Sequence, residues 1–442
     1  MGPAVDPVAS DETLPKRAGV AIIGGGIIGV STALELADRG VDVALFEKGH
    51  IAGEQSSRNW GWCRQMGRDA REIPLILESL KIWHGLDKRI EGETGFTQCG
   101  IMYLSDTAEK LAADEKWYEE NARPYQLQTR MVTGAEAAKL QPLSAKTWVG
   151  GLYTPNDCRA EPQKAAPAIA KGVRARGGKI FQSCAVRGIE TSAGRVSGIV
   201  TEKGAMACDS VVLAGGAWSR RFLGNLDIPF PQLTVVNSVM RTEPLDGPSI
   251  TAAGENFAFR KRRDGGYTIA HHHAEIAQIT PDSFRLFFDF LPALKAEWKA
   301  INLSFGKRFF DELKLKRRWK LDERSPFEDV RVLDPEPVDW VMRETIASLK
   351  ACFPVFEAMR IAQSWAGCID VTPDAVPVIS PLAKFPGLYL ASGFSGHGFG
   401  LGPGAGRLMA DLVTGKTPVV DPAPFRYTRY FDGSNPRITT GV

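Results

Sequence analysis

Six residues near the amino terminus, Gly24-Gly25-Gly26-Ile27-Ile28-Gly29, carry the spacing GxGxxG. Glycines so placed permit a tight turn, a close approach of backbone to a pyrophosphate, and close contact between helix and strand. The helix that follows offers free N–H groups and the positive end of its dipole, both of which favour phosphate. Glu47 stands 23 positions after Gly24 (47 − 24), with Lys48 beside it. A carboxylate there accepts hydrogen bonds from ribose hydroxyls and repels a 2′-phosphate, which disfavours NADP. The motif alone is compatible with FAD, with NAD, or with a glycine turn that holds no ligand.

A second unusual feature is the run His271-His272-His273. If the preceding strand continues through it, His271 and His273 point one way and His272 the other. A neutral imidazole can hydrogen-bond a substrate or take its proton. A core or surface role is the alternative. The spacing also permits a metal site, but none is expected.

The glycine turn sits in a βαβ pattern: an apolar strand at 20–23, helical spacing at 28–39 and a second strand at 41–46. Helical spacing recurs at 74–90, 107–121, 162–176 and 339–352. Strands are expected at 100–104, 179–183 and 210–214, with a hairpin at 186–190 and 195–202 around Ala193-Gly194. Between 220 and 360 the pattern turns to strands (232–241, 256–260, 266–271) followed by a helix at 284–302. A glycine-rich loop at 393–402 precedes a helix at 403–413. The expected fold is α/β: a discontinuous Rossmann-like nucleotide-binding domain (19–95, 156–220, 360–415) and an interleaved α+β substrate domain (96–155, 221–359) on a mixed, largely antiparallel sheet. A mobile tail at 1–18 and an extension at 416–442 flank them.

The bulk numbers exclude several classes. The chain has 442 residues, 44% hydrophobic and 24% charged, with net charge +3. That charge is too small for a nucleic-acid surface, and no apolar run reaches membrane-spanning length. Basic runs at 260–263 and 314–320 read as solvated faces, or as a rim that draws in an anion. Seven cysteines without a CxxC pair argue against a disulfide framework and fit a reducing compartment, so the cytoplasm is the expected location. Oligomeric state is not legible.

Four further segments, GEQSSRNWGW at 53–62, SVVLAGGAW at 210–218, WAGCIDVTPDAVPVI at 365–379 and SGFSGHGFGLG at 392–402, follow the first turn in order. Together they resemble the glycine/D-amino-acid oxidase (DAO) family of FAD enzymes, which includes sarcosine, glycine and iminodiacetate oxidases. The resemblance implies a GR2-type FAD-binding domain and oxidation of a C–N bond, with hydride passing to the flavin and the imine hydrolysing. It places Gly24, Gly26, Ile27, Ile28, Gly29, Glu47, Lys48, Ser56, Ser57, Arg58, Val186, Ala214, Gly215 and Trp218 along the dinucleotide. Asn59, Trp60, Gly61, Trp62, Gly367, Gly393, Phe394, Ser395, Gly396, His397 and Gly398 fall beside the ring. It makes Arg64 the candidate for a substrate carboxylate, with Arg159 and Arg343 as alternatives. His271 or His272 becomes an active-site histidine, and Asp370 either an ammonium-binding acid or a turn cap.

The chain also departs from the family pattern. Gly367 stands where sarcosine oxidases have a flavin-linked cysteine, so FAD is expected to be non-covalent. Thr268 and Gly400 replace two functional lysines of that group. The implied substrate is a small N-substituted glycine, with O2 or another acceptor. A D-amino-acid or D-proline-type dehydrogenase, and a flavoprotein subunit of a larger oxidase, are the alternatives.

Overall fold

Two large sheets organise the chain in the computed structural model, which describes residues 2–296, 298, 301–434 and 436–439. Met1 of the expected tail, residues 297, 299 and 300 of the expected helix 284–302, and positions 435 and 440–442 of the extension lie outside the described residues.

The first sheet is built on Arg17–Ile23, which pairs in parallel with Val43–Phe46 on one side and Gly204–Leu213 on the other. Lys179–Phe181 extends the sheet beyond Val43–Phe46, and Leu388–Ser392 joins Gly204–Leu213, both also parallel. These strands are apolar without alternation because both faces are covered. Val43 to Phe46 are all buried. The antiparallel hairpin Val186–Ser192 and Arg195–Thr201 turns at Ala193 and Gly194, both with φ in the left-handed region (+49° and +76°).

Three helices stack on one face of this sheet: Ile27–Asp38, Ile73–Ile90 and Gly398–Thr414. The last begins five residues before the expected 403, inside the glycine-rich segment. Glycine lowers intrinsic helix propensity, but close packing overrides it here. A Cβ on Gly406 would come within 2.5 Å of the Ser31 carbonyl carbon, so only a bare backbone lets this helix lie against Ile27–Asp38.

The second sheet has ten strands and is mostly antiparallel. Leu233–Thr242 is its axis, paired with Tyr267–Ala270 and Glu275–Gln278, while Ala258–Lys261, Thr251–Ala253, Ile101–Ser105, Gly150–Thr154 and Arg130–Thr133 continue it outward. The strand Ile361–Val371, expected in the first domain, pairs along its whole length with Leu233–Thr242 instead. It leaves the second sheet where the chain re-enters the first, so its carboxyl end lies at the junction. The expected helix 284–302 is broken into Pro281–Arg285 and Phe287–Ala296, and then becomes the strand Ile301–Ser304.

The amino-terminal stretch is held rather than free. Asp6 N donates to Gln163 O and Asp11 N to Ile180 O, Asp11 pairs with Arg174, and Gln182 binds Val8 O and Ser10 Oγ. At the other end Arg429 forms a buried ion pair with Asp374 (3.0 Å) and Thr439 donates to Asp69. No helix is long and apolar enough to cross a membrane among the described residues.

Gly406→Ala is expected to cost about 1–3 kcal/mol, the usual penalty for overpacking. It should lower the urea midpoint at unchanged slope. Gly224→Ala, where an added methyl meets nothing within 4 Å, should be neutral or slightly stabilising.

Candidate active site

The ends of the central strands open into one cavity that runs from the glycine turn to the interface between the sheets. It encloses about 1860 Å³ of non-atom space, its open mouth included. Its lining runs from Gly24 and Glu47 past Ser56 to Gly396 and His272, an elongated course that suits a dinucleotide.

At one end, Gly24 has φ +112° and its missing side chain would overlap Ala214 O, so the turn lies directly on the neighbouring strand. Gly26, Ile27 and Ile28 line the cavity, while Gly29 is turned inward against Gly24. Around Gly26 an added Cβ would meet only Ser56 Oγ, at 3.0 Å, leaving the space a phosphate needs. Ser56 Oγ accepts from Ile27 N (2.8 Å) and so caps the helix. Glu47 accepts from Gly25 N and Gly49 N (both 2.7 Å). Burial raises its pKa, opposed by Lys48 and these two N–H groups. Lys48 lies between Glu54 (2.7 Å) and the face of Trp218 (4.5 Å), and Val186, Ala214, Gly215 and Trp218 complete this end.

The loop 53–68 crosses to the other end. Arg58 lines the cavity, but its guanidinium binds Asp334 (2.6 Å) and Ala366 O (2.9 Å). These bonds tie the loop to the second sheet. Ser57 and Gly61 stand behind the wall, whereas Asn59, Trp60 and Trp62 line it. Trp60 O accepts from Arg260, which is fully buried and forms two bonds to Glu161 (2.9 and 3.1 Å).

Beyond the tryptophans Arg64 and His272 both reach the cavity, with Tyr103 touching each. The Arg64 guanidinium lies 5.7 Å from the Tyr103 ring centroid, and the His272 ring 5.1 Å from it. His272 Nδ1 is 2.9 Å from Gly254 O. A carbonyl only accepts, so Nδ1 carries the proton and Nε2 is left as an acceptor. Burial, then His273, pushes the His272 pKa well down and keeps the ring neutral.

His271 does not share this site. The strand ends at Ala270, and His271 Nδ1 accepts from Ala274 N (2.8 Å) and His273 N (3.1 Å), capping the turn away from the cavity. Asp370 touches the cavity edge, but its Oδ2 accepts from Gly393 N (2.7 Å), Gln232 (2.9 Å) and Ser392 (3.3 Å). It is a buried brace for the glycine loop. Gly393 and Ser395 lie behind the wall, while Phe394, Gly396, His397 and Gly398 line it. Gly367 faces the cavity, and its neighbour Cys368 packs in an apolar cluster with Val236, Ile276 and Val341. Thr268 is buried in the sheet beside Arg262. The described residues contain no group of three His, Cys, Asp or Glu side chains suited to a metal.

Several lining residues had no motif to announce them: Arg68, Asn237, Val239 and Glu275. Arg68 alone left a trace, standing four positions after Arg64. It is 2% exposed, and burial, then Arg64, lowers its pKa to about 10. Asp157 holds this loop by accepting from Gln65 N (2.8 Å), and its burial raises its pKa to about 7.

That elevation has a sign. The folded state favours protonated Asp157, so its stabilising contribution is complete below about pH 4 and is lost as pH rises through 7. Asp157→Asn should flatten the decline of the urea midpoint between pH 4 and 8.

Comparison with known proteins agrees with this geometry. Residues 19–412 match the family described as DAO, FAD dependent oxidoreductase. The solved L-amino acid deaminase from Proteus myxofaciens, in complex with anthranilate, superposes with TM-score 0.93 at 33% identity, over 97% of both chains. Glycine oxidase of Geobacillus kaustophilus is 26% identical over 94% of this chain and 98% of its own length. Mouse mitochondrial sarcosine dehydrogenase is 23% identical, but the chain spans only 43% of its length. A cavity that fits a dinucleotide, walled by the segments that carried the resemblance, therefore goes with a match over most of the sequence: the chain belongs to the DAO family of FAD-dependent oxidoreductases, enzymes that act on the CH–NH bond of amino acids and amines.

Proposed function

We propose that the chain oxidises the Cα–N bond of an L-α-amino acid with an apolar or aromatic side chain. The observation that carries this reading is the placing of Arg64 and His272 on one cavity with Trp60 and Trp62, continuous with the nucleotide cradle. The likeness to the L-amino acid deaminase supports it.

When bound, FAD would supply the acceptor for one hydride, which carries both electrons of the oxidation. The chain does the rest. Arg64 gives one donor to Met66 O and offers the remainder of its fork to the substrate carboxylate. Trp60 and Trp62, whose ring centroids are 5.3 Å apart, give the side chain an apolar wall. His272 Nε2 takes a proton from the ammonium group and leaves the amine neutral, the form from which hydride departs. The flavin is held without a covalent bond, because the residue in the cavity is Gly367 and not Cys368.

A second reading, oxidation of an N-substituted glycine with two carboxylates such as iminodiacetate, is favoured by the second guanidinium, Arg68, in the same cavity. Thr268 stands where the resemblance expects an oxygen-activating lysine, and it binds Arg262 within the sheet, so neither side chain brings a charge to the cavity wall. This favours a carrier other than O2 as the oxidant.

Anaerobic bleaching of the flavin across L-amino acids, D-amino acids and secondary amines tests the substrate. Bleaching by L-phenylalanine or L-leucine is expected, and bleaching by sarcosine or iminodiacetate alone would transfer the assignment to the second reading. Arg64→Ala should lower kcat/KM about 10- to 100-fold, the loss of a charge-assisted hydrogen bond of roughly 1.5–3 kcal/mol. His272→Ala should lower it about 100-fold at pH 7. That deficit should shrink toward pH 9, where solvent deprotonates the amine unaided. Acid precipitation should leave FAD in the supernatant.

A further inference from the structure

Beside the candidate site lies a cluster of buried polar groups that no step above uses. His397 is 2% exposed and Glu72 is fully buried, with His397 Nδ1 2.8 Å from Glu72 Oε2. The ring N–H is not aligned on that oxygen. Neither ring nitrogen and neither carboxyl oxygen makes an aligned hydrogen bond to any described residue. Arg68 Nη1 is likewise buried without a partner. Such groups are costly to bury unless a change of charge compensates them.

The surroundings say which change. His397 lines the cavity and stands at the start of the helix Gly398–Thr414, whose N-terminal dipole is positive. Burial, then the Arg68 guanidinium, hold its pKa below the ordinary value, with Arg64 adding to the effect and Glu72 opposing it. Glu72 in turn faces Arg68 and Arg71. Burial and the two guanidinium groups thus favour the neutral imidazole, and an added negative charge in the cavity would act against them.

We propose that His397, backed by Glu72, is the site that takes up a second proton when the flavin in this cavity is reduced. Reduction of a bound flavin by two electrons and one proton would leave its ring with one net negative charge. The second proton comes from water to an imidazole nitrogen, and no bond in the protein breaks. The new negative charge offsets the repulsion from Arg64 and Arg68, and Glu72 then faces a cation. The inference rests on FAD occupying the cavity and on no choice of substrate.

The test is electrochemical and uses the FAD-loaded full chain with dithionite or an electrode as reductant, so it stands whether or not any amino acid is oxidised. The pH dependence of the midpoint potential between pH 6 and 9 gives protons taken up per two electrons. The spectrum of the reduced form shows whether the ring itself is anionic. Two protons per two electrons with an anionic ring are expected near neutral pH. His397→Asn should take up one, with the ring still anionic. Should Asn at 397 lose the flavin, Glu72→Gln answers instead: the pH at which uptake falls from two protons to one must move down, because the carboxylate that favours the imidazolium is gone. One proton in the unaltered chain, a neutral reduced ring, an unchanged proton count in His397→Asn, or an unmoved transition in Glu72→Gln would each overturn the proposal.

Discussion

Backbone meets backbone at the cofactor end of this molecule, and that steric constraint governs the rest. Gly24 rests on Ala214, Gly29 on Gly24, and Gly406 on Ser31, at separations that leave no room for a Cβ. These contacts bring a strand end, a helix start and a second helix into one place. With both helices drawn that close, the start of the first lies at one end of the cavity and the start of the second at the other. The apolar packing around them, from Ile22 and Leu45 to Leu408, fills the space that these approaches define.

The second sheet contributes walls through charge as much as shape. Arg260 and Glu161 are buried together, and their pairing holds Trp60 by its carbonyl. Arg58 and Asp334 tie the same loop to the other side. Removing one member of a buried pair leaves an uncompensated charge, which is far costlier than losing both. The loop that carries Trp60, Trp62 and Arg64 is therefore fixed at several points before any ligand arrives. That is the condition for holding a reacting carbon in position.

The amino-terminal part of the first sheet was legible in the sequence because strands such as Val43–Phe46 are continuous apolar runs next to glycine turns, whereas Val378–Pro381 and Leu388–Ser392 were not foreseen. The segment 393–402 was misjudged as loop throughout because propensity says nothing of a neighbouring helix that excludes side chains. The strand Ile361–Val371 was not foreseen, because its partner, Leu233–Thr242, lies more than a hundred residues away. At the candidate site, residues inside motifs were found and isolated ones were not. His272 could be named only with its neighbour, since where the strand ends decides which ring turns inward. Arg58 and Asp370 were recognised as important, but their actual partners, Asp334 and Gly393, are unreadable without coordinates. Glu72 left no signal at all, being a single acid at the start of an ordinary amphipathic helix.

The cavity takes its floor from residues near 24, its lid from residues near 60 and 272, and its far end from residues near 370 and 397. Contacts so distant along the chain form late, after most of the loop-closure entropy has been met. The nucleotide-binding turn therefore has no enclosure until residues near 397 have joined it. A chain cut short before Ile361 lacks both the axial partner of the second sheet and the closing helix. Such a product would be colourless and prone to clump, and capture of the coenzyme would mark the completion of folding.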